Sequence, residues 1–231
     1  MLGCAFCATG QGGLTRNLTA GEILGQAFGM RARGHAFANV VMMGMGEPLL
    51  NYDQVLRACK ALNWDRGLKI AKRRITVSTA GIIPGIRALA QEPFRLRLAV
   101  SLNATDDATR SRLMPVNRQY PLAELLAACR AYSDATGWWL TFEYVLAAGI
   151  NDRAADADRL AEMTDGILRK INLIACNPVA GSGLVRPDAA VVQQFAARLR
   201  ARGISTTVRR SVGSDIAAAC GQLRARQAGT A

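Results

Sequence analysis

Two cysteines, Cys4 and Cys7, stand three apart just before the glycine-rich run Gly10-Gln11-Gly12-Gly13. Thiolates at this spacing can ligate one metal centre from a single turn. A [4Fe–4S] cluster that activates a ligand takes three, leaving one iron open. Phe6, between the pair, would shield such a centre from water. The same pair also reads as a thioredoxin-like redox couple, half of a zinc site, or plain thiols. His35 is the only histidine and no second Cys-x-x-Cys occurs, which weakens zinc. Farther on, Gly44-Met45-Gly46-Glu47-Pro48 follows an apolar run. Glycines there open backbone carbonyls to a ligand, and the carboxylate suits an ammonium group; an ordinary strand-end turn is the alternative. Ser78-Thr79-Ala80-Gly81, Ser101-Leu102-Asn103-Ala104 and Asn177-Pro178 put small polar groups after three further runs. Near the C-terminus, Cys220 lies between Ala219 and Gly221 and reads either as an accessible nucleophile or as a buried free thiol. Cys59 and Cys129 fall in Ala- and Leu-rich helical patterns and read as core, while Cys176 stays open.

The elements that must position these groups alternate. Runs rich in β-branched residues at Asn39–Met43, Arg74–Ser78, Leu96–Leu102, Leu140–Leu146, Lys170–Ala175 and Ile204–Val208 read as buried parallel strands, because they look continuous and not alternating. Between them, Thr19-Ala20-Gly21-Glu22 has the form of a capping box, followed by Ile23, Leu24, Ala27 and Met30 at helical spacing. Tyr52–Leu62, Pro121–Tyr132, Ala154–Met163 and Asp188–Arg200 are further predicted helices. Alternation of this kind predicts an α/β fold of five or six βα units, a barrel or an open half-barrel. Every motif then falls on the C-terminal rim, with a polar ligand across the mouth.

At 231 residues, half of them hydrophobic, the chain is expected to form one globular domain. No apolar run reaches the roughly eighteen residues of a membrane span, and no export signal opens the sequence. Six cysteines are too sparse for a disulfide scaffold and read as cytoplasmic thiols or metal ligands. The balance of 29 Lys plus Arg against 17 Asp plus Glu, +12, favours a polyanion such as nucleic acid; a basic protein without such a partner is the alternative. Basic clusters at Arg66, Lys69, Lys72, Arg73 and Arg74, and at Arg209, Arg210, Arg224 and Arg226, suit phosphate or are solvated faces. His35, alone before an apolar strand, reads as structural.

Taken together, the segments Gly3–Thr19, Val41–Leu49, Arg74–Gly81, Ser101–Ala104, Met114–Asn117, Lys170–Ile174 and Asp215–Leu223 resemble the RlmN family. These are radical S-adenosylmethionine (SAM) enzymes that methylate C2 of adenine in RNA. The resemblance spans nearly the whole chain, and its last block separates it from generic radical SAM proteins. It implies a partial TIM-type (βα)6 barrel lacking its first strand. It implies a [4Fe–4S] cluster with Cys4 and Cys7 as two ligands. It implies SAM held by Gly46, Glu47, Ser78, Ser101, Leu102, Asn103 and Asn177, and Cys220 as the methyl-carrying cysteine. The implied substrates are an adenine in the peptidyl-transferase region of 23S ribosomal RNA and adenine 37 of transfer RNA. An electron donor such as a flavodoxin, a monomeric state and a cytoplasmic location go with them.

In that family the first cluster cysteine, an RNA-binding accessory domain, a first barrel strand, a catalytic glutamate and a resolving cysteine precede the position of Cys4. The chain as given is therefore expected to be an incomplete, inactive form. Two positions depart from the family pattern: Cys176 precedes Asn-Pro where an aromatic is usual, and Asn103 stands where some members have histidine. The alternatives are a non-catalytic basic RNA-binding module and a Cfr-type methyltransferase acting on adenine C8.

Overall fold

Six parallel strands form one sheet in strict sequence order in the computed structural model, which describes residues 2–209. They are β1 (Val40–Met42), β2 (Ile75–Thr79), β3 (Arg97–Ser101), β4 (Leu140–Leu146), β5 (Arg169–Ala175) and β6 (Ser205–Arg209). Parallel neighbours need long crossovers. After α1 (Ala8–Gly12) and α2 (Ala20–Ala32), which precede β1, these are supplied by α3 (Tyr52–Asn63), α4 (Ile83–Gln91), α5 (Asp107–Leu113), α6 (Leu122–Thr136), α7 (Ala154–Met163) and α8 (Ala189–Ala201). The arrangement is the expected partial barrel of α/β type. At its mouth the guanidinium of Arg209, ending β6, reaches the sulfur of Met43, just past β1, at 3.7 Å.

The predicted strands are present with shifts of a residue or two, but their patterning differs from the continuous reading. Side chains alternate across a strand. One face carries Ile75, Val77, Leu98, Val100, Leu140, Phe142, Tyr144, Leu146, Ile171 and Leu173, all buried in the core under the helices. The other carries Thr76, Ser78, Ser101, Thr141, Glu143, Lys170, Asn172 and Thr207. The polar set therefore lines the concave side, and the register Ser101↔Glu143↔Asn172↔Thr207 places four of its members in one row across β3 to β6.

The Thr19 capping box forms as predicted: the Glu22 carboxylate accepts from the Thr19 backbone N–H at 2.8 Å and also from Arg16 Nη2 at 2.6 Å. Two crossover helices carry weak sequence signals. In α4 the run Ile82-Ile83-Pro84-Gly85 looks like a turn, yet a proline in the first turn is already preset for the helix. The start of α5 is capped by Asp106, whose carboxylate accepts from the Thr109 N–H at 2.7 Å.

Candidate active site

All six strands run the same way, so their C-terminal ends share one rim. The Cys4–Cys7 turn docks there. The Ala5 N–H donates to the Leu113 carbonyl at the end of α5 (2.9 Å), and the Cys7 N–H donates to the Cys4 carbonyl (3.1 Å). Leu2, Cys4 and Phe6 pack against the core, so the turn is anchored and both thiols are half-buried. Burial pushes the Cys4 thiol up to about 12; the neighbouring Cys7 adds to the shift and the Arg110 cation opposes it.

Arg110 is the residue that organises this rim. It is fully buried, and its donors all go to neutral acceptors. Nε donates to Leu102 O (3.0 Å), Nη2 to Ala80 O (2.8 Å) and Ser101 O (3.1 Å), and Nη1 to Asn117 Oδ1 (2.9 Å) and Tyr120 O (3.4 Å). One guanidinium thus ties the ends of β2 and β3 to the turn after α5. The carboxylate of Asp107 is linked to it through Asn117, whose Nδ2 donates to Asp107 Oδ1 at 2.9 Å. Desolvation lowers the Arg110 pKa to about 10, and the first charge to act against that is Cys4. A buried cation with no carboxylate directly bonded to it favours anionic sulfur beside it.

At the β1 end, Gly44 (φ 75°) and Gly46 (φ 129°) occupy the left-handed region, with open space where a side chain would stand. This leaves an exposed backbone cradle on the rim. Glu47 turns inward from it. Its carboxylate accepts from Leu49 N–H (2.9 Å) and Ala80 N–H (2.7 Å), clamping the β1 turn to the end of β2. Burial raises its pKa against those hydrogen bonds. Ser78 lies buried in β2, Ser101 half-buried at the end of β3, and Leu102 fully buried just after it.

Asn103 is fully buried with φ 59°, and its side chain is spent inside the protein. Oδ1 accepts from Val145 N–H (2.7 Å), Nδ2 contacts the Met114 sulfur (3.1 Å), and its carbonyl accepts from Asn151 Nδ2 (2.7 Å). Asn177 accepts from Arg186 Nη1 at 3.0 Å. Cys176, without a role from sequence, is buried and donates its thiol to Val185 O at 3.1 Å, so it pins the loop after β5. Cys220, Arg210, Arg224 and Arg226 lie outside the described residues.

The polar row on the concave face adds Glu143, a group that sequence reading passed over. It is 6% exposed, and its carboxylate accepts from Asn172 Nδ2 (2.7 Å), whose Oδ1 in turn accepts from Thr207 Oγ1 (2.8 Å). Burial raises the Glu143 pKa; Asn172, Arg209 and Lys170 oppose the shift. A carboxyl whose folded-state pKa lies above its unfolded value holds extra protons in the folded state between the two. Wild-type stability therefore falls as pH rises through that window, which begins in the ordinary carboxylate range. Glu143→Gln should remove its share. Urea unfolding of both proteins across the window should show the wild type losing stability relative to the variant as pH rises. Parallel curves would rule the account out.

The donor set tests what the rim can hold. Cys4 and Cys7 give two soft thiol donors on one turn beside the buried charge of Arg110, and the Gly44–Gly46 cradle leaves backbone open for a ligand. Among the described residues, no three His, Cys, Asp or Glu side chains are placed to share a metal ion. The rim thus fits a metal–thiolate group as the supplier of two of its ligands. The residues missed by sequence reading are Arg110, Asn151 and Glu143. The strict alternation in Leu140-Thr141-Phe142-Glu143-Tyr144 was a usable signal for the last. Arg110, beside Ser111 and Arg112, looks like any solvated helix face.

Residues 1–161 match the model of the radical SAM superfamily. A probable dual-specificity RNA methyltransferase RlmN of Moorella thermoacetica is 50% identical, over 96% of this chain and 65% of that protein. Its counterpart in Pelotomaculum thermopropionicum is 51% identical, over 96% of this chain and 61% of that protein. The chain thus spans less than two thirds of the length of these curated relatives. A crystal structure of a radical SAM methyltransferase from Sphaerobacter thermophilus superposes with TM-score 0.93 at 51% identity, covering 97% of this chain and 67% of that one. The SAM-bound SuiB structure from Streptococcus suis shares the fold, at TM-score 0.64 and 15% identity, over 91% of this chain and 48% of that one. With half of its residues shared with such relatives along nearly its whole length, the chain belongs to the radical SAM superfamily and, within it, to the RlmN family.

Proposed function

We propose that this chain carries the catalytic portion of an RNA methyltransferase acting on C2 of adenine. Its substrates would be 23S ribosomal RNA at the peptidyl-transferase centre and transfer RNA at adenine 37. The observation that carries the reading is the Cys4–Cys7 turn, docked on the rim that also holds Glu47, Ser78 and Ser101. When bound, a [4Fe–4S] cluster and SAM supply reducing power and the methyl carbon. The chain's own residues do the rest. Cys4 and Cys7 provide two thiolate ligands, and Arg110 offsets their charge. The open backbone at Gly46, braced by the Glu47 carboxylate, would receive the SAM ammonium; Ser78, Ser101 and Asn177 would shape the remaining wall, with the buried Leu102 and Asn103 supporting it from behind. Cys220 carries the methyl group to the base. C2 of adenine is electron-poor and is no nucleophile, so polar methyl transfer to it fails; a carbon held on the protein answers that difficulty. A flavodoxin-type electron donor, a monomer and a cytoplasmic location belong to the same proposal. Among the described residues, no helix is long and apolar enough to cross a membrane.

The test uses the full-length gene product, reconstituted anaerobically with iron and sulfide and given a ribosomal RNA fragment. Nucleoside analysis should find 2-methyladenosine. Cys220→Ala should abolish it while leaving RNA binding intact, and Cys4→Ala should abolish iron retention. Product methylated at C8 would assign Cfr-type chemistry instead. Salt-sensitive RNA binding without SAM cleavage would assign a binding module.

A further inference from the structure

At the opposite end of the strands from the candidate active site lies a second concave surface. Arg31 at the end of α2, Phe37 and Ala38 before β1, and Leu68 to Arg74 before β2 line a cleft of about 290 Å³. Its charged lining residues are Arg31, Lys69, Arg73 and Arg74, and no acidic residue lines it. None of the four takes part in an ion pair among the described residues. The floor is built. Arg31 lies over the Phe37 ring at 4.9 Å and donates to the Phe37 carbonyl at 3.1 Å, while Ile70 is buried in the core. Lys69, an exposed lining residue, has φ 53°, an uncommon conformation for a side-chain-bearing residue. The structure also divides the basic cluster seen in sequence. Lys72 leaves the cleft and sits over Phe94 at 5.5 Å, whereas Arg31, about forty residues upstream, joins it. The loop that supplies Lys69 also carries Trp64, 61% exposed and with no ring contact among the described residues.

Four cations without acidic partners, concave presentation and an exposed indole on the same loop suit one class of ligand. Phosphates take the cations, and an unpaired base takes the indole face. We propose that this cleft is an RNA-backbone docking site, remote from the reaction rim, that holds a single-stranded segment flanking the modified adenine. The proposal rests on the RNA reading given above for the identity of the polyanion. Parallel strands put the cleft at the N-terminal ends of β1 and β2, and Glu47 and Ser78 at their C-terminal ends. Five residues of β2 separate the two, roughly 15 Å, so an RNA engaging both must span at least that distance. A short oligonucleotide would reach only the rim.

The experiment measures affinity of the full-length protein for a labelled single-stranded RNA of about twenty nucleotides as a function of salt. Lys69→Gln/Arg73→Gln is compared with Arg198→Gln/Arg202→Gln, whose charges are already paired with Asp158 on the far side. The cleft variant should bind about tenfold more weakly at low salt, and its slope of log K against log salt should flatten by about 1 to 1.5. The control pair should leave the slope unchanged. Trp64→Ala should cost about five- to tenfold without altering the slope, the signature of stacking and not of charge. Circular dichroism of each variant confirms folding, since all the altered side chains are exposed or half-exposed. Unchanged affinity and slope in the cleft variant overturn the inference alone, provided the wild type binds and methylates RNA. Failure of the wild type to bind RNA overturns both this inference and the functional reading. Inorganic phosphate displacing the RNA at matched ionic strength would mark a small-anion site and also overturn it. Retained RNA binding with loss of stability on Lys69→Gln/Arg73→Gln would mark a purely structural role for these cations, with the same consequence.

Discussion

Replacing Arg110 with methionine should lower the unfolding free energy by about 3–5 kcal/mol, the summed cost of leaving several buried neutral acceptors without their guanidinium donor. The size follows from what remains. Ala80, Ser101 and Leu102 keep carbonyls with no guanidinium to accept from, and Asn117 loses the donor that orients its amide. Each such buried acceptor carries a desolvation cost. Arg110→Lys keeps the charge but offers three donors without a planar fork, so it should recover about half of the loss. For a chain of this length the methionine variant should melt roughly 10 °C lower. The cation also faces Cys4, so iron retained after reconstitution should fall further in the methionine variant than in the lysine one. A methionine variant within 1 kcal/mol of wild type in urea would refute the assignment.

The second large effect is expected at Asn151, which is 1% exposed and serves three backbone groups at once. Its Oδ1 accepts from Ala147 N–H at 2.8 Å, and its Nδ2 donates to the carbonyls of Asn103 and Val145, both at 2.7 Å. Asn151→Ala leaves all three unpaired and should cost about 2–4 kcal/mol. Asn151→Asp keeps the acceptor but sets a carboxylate against two carbonyls, so it should fare no better. Asn103, held in a left-handed conformation by these contacts, would relax. SAM affinity, read by calorimetry, should therefore drop about tenfold under conditions where the variant is still folded. Full stability in Asn151→Ala would place the strain of Asn103 elsewhere.

Much of this architecture can be read from residue types, and the unreadable part has identifiable causes. The strand positions come through because β-branched runs and turn residues are local signals, as the agreement at Leu140–Leu146 shows. The motifs at strand ends share a rim because all six strands are parallel. What does not come through depends on partners far away in sequence. Arg110 is distinguished by acceptors at Ala80 and Ser101, and nothing in Asp107-Ala108-Thr109-Arg110-Ser111 announces them. Asn151 looks like a loop residue because its role is to satisfy backbone, which has no sequence signature. Asn103 shows the reverse case: its type suggests a polar group offered to a ligand, and the fold adds a role that type does not announce, since its amide serves Val145 and Met114. Cys176, unexplained by pattern, is accounted for by one carbonyl on the facing loop.

The hydrogen bond from Ala5 to Leu113 has a consequence for biosynthesis. Strands paired only with their sequence neighbours can be laid down in the order in which they leave the ribosome. The cysteine turn cannot follow that order. Its dock at the end of α5 emerges about a hundred residues later, roughly 5–20 s at ordinary elongation rates. Until then Cys4 and Cys7 have neither the apolar packing nor the cation that define their site, and they sit as ordinary accessible thiols on a nascent chain. That interval is open both to air oxidation and to any carrier that delivers iron and sulfide. Oxygen tension during synthesis, and not only during purification, should therefore set how much of the protein ends with its thiols intact.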